Sequence, residues 1–525
     1  MTEKSVIIIG AGLAGLSTGC YAQMNGYHTR IFERHTRAGG VCTAWKRRGY
    51  TIDGCIHWLM GARPGSSFYQ LYDQVGALEG NRLIPLDHYA RFVDETSGQY
   101  LEFTADLDRL ASDMKALSPD DEQHIDEFVG AARAFQGFPM DAGKPIELMG
   151  PLDGVKQMWR MRHWLKHFTR YSMSVSAFSR RFQSPFLRWA LSGAFVPEMP
   201  TFFLLVLLGQ LAAGELATVE GGSLAFALAI IRRYRELGGQ ITYSAPVEEV
   251  LVTGDKAVGV RLADGSEHRA DIVVSAADGY STTYKMLGGR YVDAAIVERY
   301  ETWTLFRPLV MVSLGVKREF AHRAADHVIC LRHPLAVAGR QVEDITCRVF
   351  GPELSLAPEG KTVVQAMFES DFDYWRELQE DRDRYEGEKA RIAREVIDRL
   401  EGRFPGISAE VEMIDVATPY TFWRYTRNHR GAYEGWLMTP EQTSKPLPKT
   451  LPGLRDFYMA GQWVEPGGGI PTVLSSGRQV AQILCRRDRK PFTAVPRLAA
   501  LGRPQVALYD ERLSGREDTV AIDSK

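Results

Sequence analysis

The chain has no C-x-x-C pair, no apolar run of membrane-spanning length and almost no net charge, and each shortage removes a class of function. Its six cysteines (Cys20, Cys42, Cys55, Cys330, Cys347 and Cys485) are scattered over 525 residues. That spread argues against a zinc site, an iron–sulfur cluster or a thioredoxin-like motif, so no metal is expected and the thiols suit a reducing, cytoplasmic compartment. A formal net charge of −2 gives nucleic acid no global attraction, and no nucleic-acid partner is expected. The most apolar stretch, Phe202-Phe203-Leu204-Leu205-Val206-Leu207-Leu208, is too short to cross a bilayer. The apolar stretch at the amino terminus is only strand length, with no small-residue cleavage site, so no leader peptide is expected. What is present is bulk: 45% hydrophobic and 24% charged residues suit a globular chain of two or more domains.

The most informative stretch is the first forty residues. Val6-Ile7-Ile8-Ile9 suits a strand buried on both faces, and Gly10-Ala11-Gly12-Leu13-Ala14-Gly15 follows it. Glycines there allow a tight turn, close approach of a pyrophosphate and close packing of the next helix. A helix beginning near Leu13 would aim the free N–H groups of its first turn, including those of Leu13 and Ala14, at that pyrophosphate. Asn25-Gly26 ends the helix, residues 27–32 read as a second strand, and Glu33 closes it, with Arg34 beside it. An acid at this spacing accepts hydrogen bonds from a ribose hydroxyl pair and disfavours a 2′-phosphate. An adenine dinucleotide is expected. No second strand-glycine-helix unit of this kind occurs, so a built-in nicotinamide domain is not, and electrons would pass to or from oxygen, a quinone or a separate reductase.

Further on stand Arg37-Ala38-Gly39-Gly40, then Tyr50-Thr51-Ile52-Asp53-Gly54-Cys55-Ile56-His57-Trp58. A second glycine pair after the ribose acid and a glycine-aromatic-x-x-Asp-Gly strand resemble the flavin-dependent superfamily of phytoene desaturases, carotenoid isomerases, retinol saturases and amine oxidases. The Ile-His-Trp triplet is most similar to the retinol saturase and carotenoid isomerase side. The resemblance implies FAD, with Gly39 and Gly40 near its pyrophosphate or ribityl chain and the backbone of Val247 reading the adenine. It also covers the closing motif. There the strand around Phe457-Tyr458-Met459 ends at Gly461, and Gly467-Gly468-Gly469-Ile470-Pro471 leads into a helix, an entry that can present backbone N–H groups to the flavin's carbonyl and N1 edge, with Gly469, Ile470 and Pro471 expected at the cofactor. Where the superfamily commonly has an acid after the strand's glycine, this chain has Gln462.

The implied fold class is α/β: a Rossmann-type FAD-binding domain with a discontinuous α+β substrate domain built of a mixed sheet and a helical layer. The expected segments are 1–75, 220–285 and 450–490 for the FAD-binding domain, and 76–219 and 286–449 for the substrate domain. Residues 491–525, rich in Arg, Pro, Asp and Ser, are expected to form an extended tail with little core. Helices are expected over 106–117 and from Ser118-Pro119-Asp120 onward, a hairpin insertion after residue 246, and strands at 309–316 and 362–368.

The middle of the chain should choose the substrate. Residues 156–214 mix Lys156, Trp159, Arg160, Arg162, Trp164 and Lys166 with the apolar run; bases and tryptophans together suit a membrane surface, whereas a core helix suits the apolar run. Six aromatics between Tyr420 and Trp436 fit either a pocket for a flat apolar molecule or a packing layer. The expected activity is FAD-dependent desaturation, saturation or isomerisation of carbon–carbon double bonds in a long apolar substrate such as a carotenoid, a retinoid or another lipid. His57 is the foremost proton-exchanging candidate, with Arg424 and Tyr425 behind it. A flavin amine oxidase and a non-catalytic lipid or prenyl-protein escort of the same fold are the alternatives.

Overall fold

The computed structural model describes residues 4–140, 143–320, 326–443, 445 and 447–500. Its central element is a five-stranded parallel sheet in the order Gln240–Thr242, His28–Phe32, Ser5–Ile9, Ile272–Ser275, Phe457–Met459. All neighbours are parallel, with Ile8 level with Ile31 on one side and Val274 on the other. Parallel strands need crossovers and helices on both faces, which is why this sheet draws on three distant parts of the chain and why its inner strands read as unbroken apolar runs. The helix Leu13–Met24 follows the first strand, ends at Asn25, and packs against Gly222–Glu236 and Ile470–Arg487. Contact with the last of these is backbone-close: a Cβ at Gly477 would lie 2.6 Å from the Thr18 nitrogen.

A three-stranded antiparallel unit, Val247–Thr253, Lys256–Leu262 and Glu267–Arg269, stands where the hairpin insertion was expected. The second large element is a seven-stranded mixed sheet ordered Val411–Ala417, Leu309–Val316, Thr362–Glu369, Arg340–Phe350, Asp326–Val337, His88–Asp94, Tyr100–Thr104. Against it lies a helical layer that includes Leu107–Leu117, Glu122–Ala134, Pro185–Gly193 and Thr201–Ala212, sharing one apolar core with the His88–Asp94 and Tyr100–Thr104 strands. The apolar run 202–208 therefore lies within a mostly buried helix, as the core reading requires. Asp106 caps the first helix of the layer by accepting from the N–H groups of Asp108 and Arg109.

The start of the tail departs from expectation. The N–H groups of Arg497 and Leu498 donate to Asp73 Oδ1 at 3.0 and 2.7 Å, and Leu498 is buried. Phe492 and Ala494 also pack on the core, and Arg497 pairs with Glu79 and Glu236. Residues 501–525 of that expected tail lie outside the described residues. No helix among the described residues is long and apolar enough to cross a membrane.

Candidate active site

A cavity of about 1430 Å³ joins the parallel sheet to the mixed sheet and the helical layer. One end is built of backbone. Gly10, Gly12, Leu13, Ala14, Glu33, Arg34, Gly39, Gly40, Val247, Gly461, Gln462, Gly469, Ile470 and Pro471 all line it, together with His57 and Tyr425. Two expected residues do not. Gly15 sits behind the turn, where a Cβ would fall 2.0 Å from the Gly10 carbonyl oxygen, so its role is to let the helix close on the strand. Arg424 is exposed and turned away, with its guanidinium over the Tyr425 ring at 5.7 Å; the cation of that segment that lines the cavity is Arg427.

The two glycine turns stack on each other: Gly39 donates to the Ala11 carbonyl at 2.8 Å, and a Cβ at Gly40 would lie 3.2 Å from Gly12 Cα. Side chains here would fill the trough. Glu33 stands at its rim, with Oε2 accepting from the Ala11 N–H at 2.7 Å and Oε1 from the His35 N–H at 2.8 Å. Burial pushes its carboxyl above the usual range, and the two backbone donors only temper this. Arg34 Nη1 is buried with no protein partner. A side-chain-free trough with a fixed carboxylate at one point and an unsatisfied guanidinium nitrogen at another fits an adenine dinucleotide, whose ribose and phosphates present the complementary groups.

The other end is apolar. Trp58, Tyr89, Phe92, Trp189, Phe195, Phe203 and Phe306 line it, drawn from the mixed sheet, the helical layer and the segment around His57. Of the six aromatics between 420 and 436, Phe422, Tyr425 and Tyr433 face the cavity. Trp436 packs instead on Tyr300, Trp303 and Trp463, and Tyr420 stacks near Trp423. Half of the cluster thus lines the cavity and half packs away from it.

His57 lines the same cavity. Its backbone carbonyl accepts from Arg348 Nη2, while Nη1 donates to the Ile56 carbonyl at 3.1 Å and Nε meets Asp326 Oδ1 at 3.1 Å. Desolvation, reinforced by the Arg348 charge, pulls the imidazole below its usual range and keeps it neutral. One turn of chain earlier, Asp53 ties the segment to the helix Gly222–Glu236: it accepts from the N–H of Ser223 at 2.6 Å and from that of Cys55 at 3.0 Å. Arg348, Asp326 and Ser223 carry no sequence motif, so nothing in the chain alone marked them.

Glu434 is the second unmarked group, although it is the one charge within Gly431-Ala432-Tyr433-Glu434-Gly435-Trp436. Burial pushes its carboxyl up to about 7, tempered by a hydrogen bond from the Gly469 backbone N–H. The Gly469 N–H, one of the donors of the closing motif, thus meets this carboxylate. The same side chain presses on Gly468, where a Cβ would lie 2.1 Å from Glu434 Oε2. Since the folded-state value exceeds the ordinary 4.5, Glu434 stabilises the fold when protonated, and that contribution disappears as pH rises from 4.5 through about 7. Glu434→Gln is expected to flatten the loss, gaining roughly 2–3 kcal/mol near neutral to mildly alkaline pH, measured as urea midpoints above and below the transition.

A glycine trough on a parallel sheet joined to an aromatic-lined chamber is the arrangement of a flavin-dependent oxidoreductase. The description of the flavin containing amine oxidoreductases matches residues 13–485, and the chain belongs to that family. It is 24% identical over 504 residues to a lycopene-forming phytoene desaturase of Pseudescherichia vulneris, covering 92% of this chain and 99% of that one. It is 22% identical over 498 residues to the chloroplastic prolycopene isomerase of Arabidopsis thaliana, covering 90% of this chain and 81% of that one. Among solved structures, an oxidoreductase from Methanosarcina mazei superposes with a TM-score of 0.58 at 17% identity, over 91% of this chain and all of that one (100%).

Proposed function

We propose that the protein holds FAD and uses it to desaturate, saturate or isomerise carbon–carbon double bonds in a long apolar molecule of the carotenoid, retinoid or lipid type. The observation that carries this is the continuity of the cavity: the Glu33 trough opens directly into the aromatic chamber. Residues 1–75, 220–285 and 450–490 would bind the cofactor, and 76–219 with 286–449 the substrate. Glu33 would take the adenosine ribose hydroxyls, Arg34 a phosphate or the adenine edge, and Val247 the adenine through its backbone. FAD, once bound, supplies hydride exchange with the substrate. The chain's own contribution is to hold an extended apolar molecule between rings, exclude water, and present a neutral imidazole at His57 that can accept or release a proton near neutral pH. Electrons would enter or leave through oxygen, a quinone or a separate reductase.

The deciding experiment is anaerobic incubation of the purified yellow protein with a panel of polyenes, retinoids and unsaturated lipids, using dye donors and acceptors. Conversion of at least one polyene supports the reading; inert polyenes with rapid flavin bleaching by simple amines would replace it with the amine oxidase, and a colourless protein with the escort. The relatives' names, phytoene desaturase and prolycopene isomerase, support the apolar substrate class.

Delivery of such a substrate favours a membrane surface. The helix Pro151–Met161 exposes Leu152, Val155, Met158 and Trp159, at 75, 58, 59 and 67%, beside Lys156, Arg160 and Arg162. Apolar side chains interleaved with bases suit an anionic bilayer interface. Leu152→Asp with Trp159→Asp is expected to reduce co-sedimentation with anionic lipid vesicles about tenfold or more, at about 1.5–3 kcal/mol per apolar side chain withdrawn. Unchanged sedimentation would exclude this helix as the contact.

A further inference from the structure

Two thiols meet at the edge of the flavin trough. In the hairpin of Ala44–Arg47 and Tyr50–Asp53, Ala44 is level with Asp53, and the Gly54 N–H donates to the Thr43 carbonyl at 3.0 Å. Cys42 and Cys55 are the residues that flank this last hydrogen bond of the hairpin, which brings their thiols within hydrogen-bonding reach of each other. The two thiols share a hydrogen bond, both are free, and both line the cavity beside Gly12 and Gly40. Cys20, Cys330, Cys347 and Cys485 do not line it.

The surroundings fix the pair. Cys42 Sγ donates to the Ser223 carbonyl at 3.4 Å, and Asp53 holds both Ser223 and the Cys55 N–H. We propose that Cys42 and Cys55 form a redox-active pair that exchanges two electrons with the flavin bound beside them. In the forward step, reduced flavin gives up an electron pair and its N5 proton, the S–S bond breaks, and a second proton from solvent completes two S–H bonds. Oxidised flavin and a dithiol result. The hydrogen bond with Cys55, burial and the Asp53 charge hold the Cys42 thiol well above its usual range. Disulfide and dithiol differ by two electrons and two protons, which matches what one reduced flavin and solvent supply. The pair would thus be a two-electron reservoir next to the cofactor.

This inference rests on the flavin reading of the cavity and not on any substrate. To test it, the full-length flavoprotein is oxidised with diamide, freed of excess reagent and titrated anaerobically with dithionite, with peptide mapping before and after. The expected result is a Cys42–Cys55 linked peptide at the start, uptake of four electrons per flavin, and two alkylatable thiols at the end. Cys42→Ser and Cys55→Ser should each take up two, and Cys347→Ser should still take up four. If the serine variants do not fold, the wild-type titration and peptide map decide alone. A yellow protein that stops at two electrons with no linked peptide would overturn the cysteine proposal only; a colourless protein would overturn the flavin reading and the exchange with it.

Discussion

Arg348→Ala is expected to lower the unfolding free energy by about 3–5 kcal/mol, the cost of leaving a buried ion without its partner. The Arg348 side chain is 3% exposed and its partner Asp326 is 10% exposed. Removing the guanidinium strands a carboxylate on the cavity wall and frees the carbonyls of Ile56 and His57 that it holds. Urea unfolding at constant pH measures the loss, and a wild-type midpoint would refute it. The double substitution Arg348→Met with Asp326→Leu separates the two roles. Apolar groups of similar size should recover most of the stability, because neither charge is then left alone. His57 would still have lost its anchor, so turnover of a polyene substrate should remain low while the fold is restored. Recovery of both would reduce Arg348 to a packing residue.

The part of the site that could be read from the chain is the part made of backbone. A phosphate trough needs glycine at set intervals, a parallel strand before it and an acid at the next strand's end, and each leaves a local trace at Val6 to Gly15, Glu33 and Gly39-Gly40. The parallel sheet was legible for the same reason: strands buried on both faces, such as Ile272–Ser275, are continuous apolar runs. The mixed sheet was legible only at Leu309–Val316 and Thr362–Glu369, which are buried along almost their whole length. Arg340–Phe350 escaped notice because its first half is exposed and reads Arg-Gln-Val-Glu-Asp, and Asp326–Val337 carries Arg332, His333 and Pro334 in its exposed stretch. Contacts between such strands are set by tertiary pairing rather than by local pattern. Arg348 and Glu434 were hidden for a further reason. A buried charge is recognised by the partner it meets, and those partners are 22 or more residues away for Asp326 and 35 for Gly469. The misplaced Arg424 shows the converse: on a helix, the neighbour of a cavity residue points elsewhere, and Tyr425 faces the cavity while Arg424 faces solvent.

Glu33→Gln separates cofactor affinity from fold stability, because its effects on the two have opposite signs. In the cofactor-free protein the Glu33 carboxyl is buried and pushed above its usual range. A carboxyl raised in this way stabilises the fold when protonated, and that contribution is lost as pH rises from the ordinary carboxylate range through the raised value. Above that raised value the apoprotein carries a desolvated charge, and an amide at the same place removes that cost while keeping an oxygen for the Ala11 N–H. The variant apoprotein should unfold at the same urea concentration as the parent or a higher one. With the proposed FAD bound, the balance reverses. A ribose hydroxyl pair donates to a carboxylate more strongly than to an amide, at about 1.5–3 kcal/mol for each charged hydrogen bond. Weakening both is expected to raise the dissociation constant about a hundredfold, a loss of about 2.7 kcal/mol. The measurement is quenching of free FAD fluorescence on titration with apoprotein, paired with urea unfolding of the same preparations. Weaker binding together with an undiminished apoprotein places the adenosine ribose at Glu33. Unchanged binding would move the ribose elsewhere in the trough, and a destabilised apoprotein would make the two backbone hydrogen bonds from Ala11 and His35 the main work of this carboxylate.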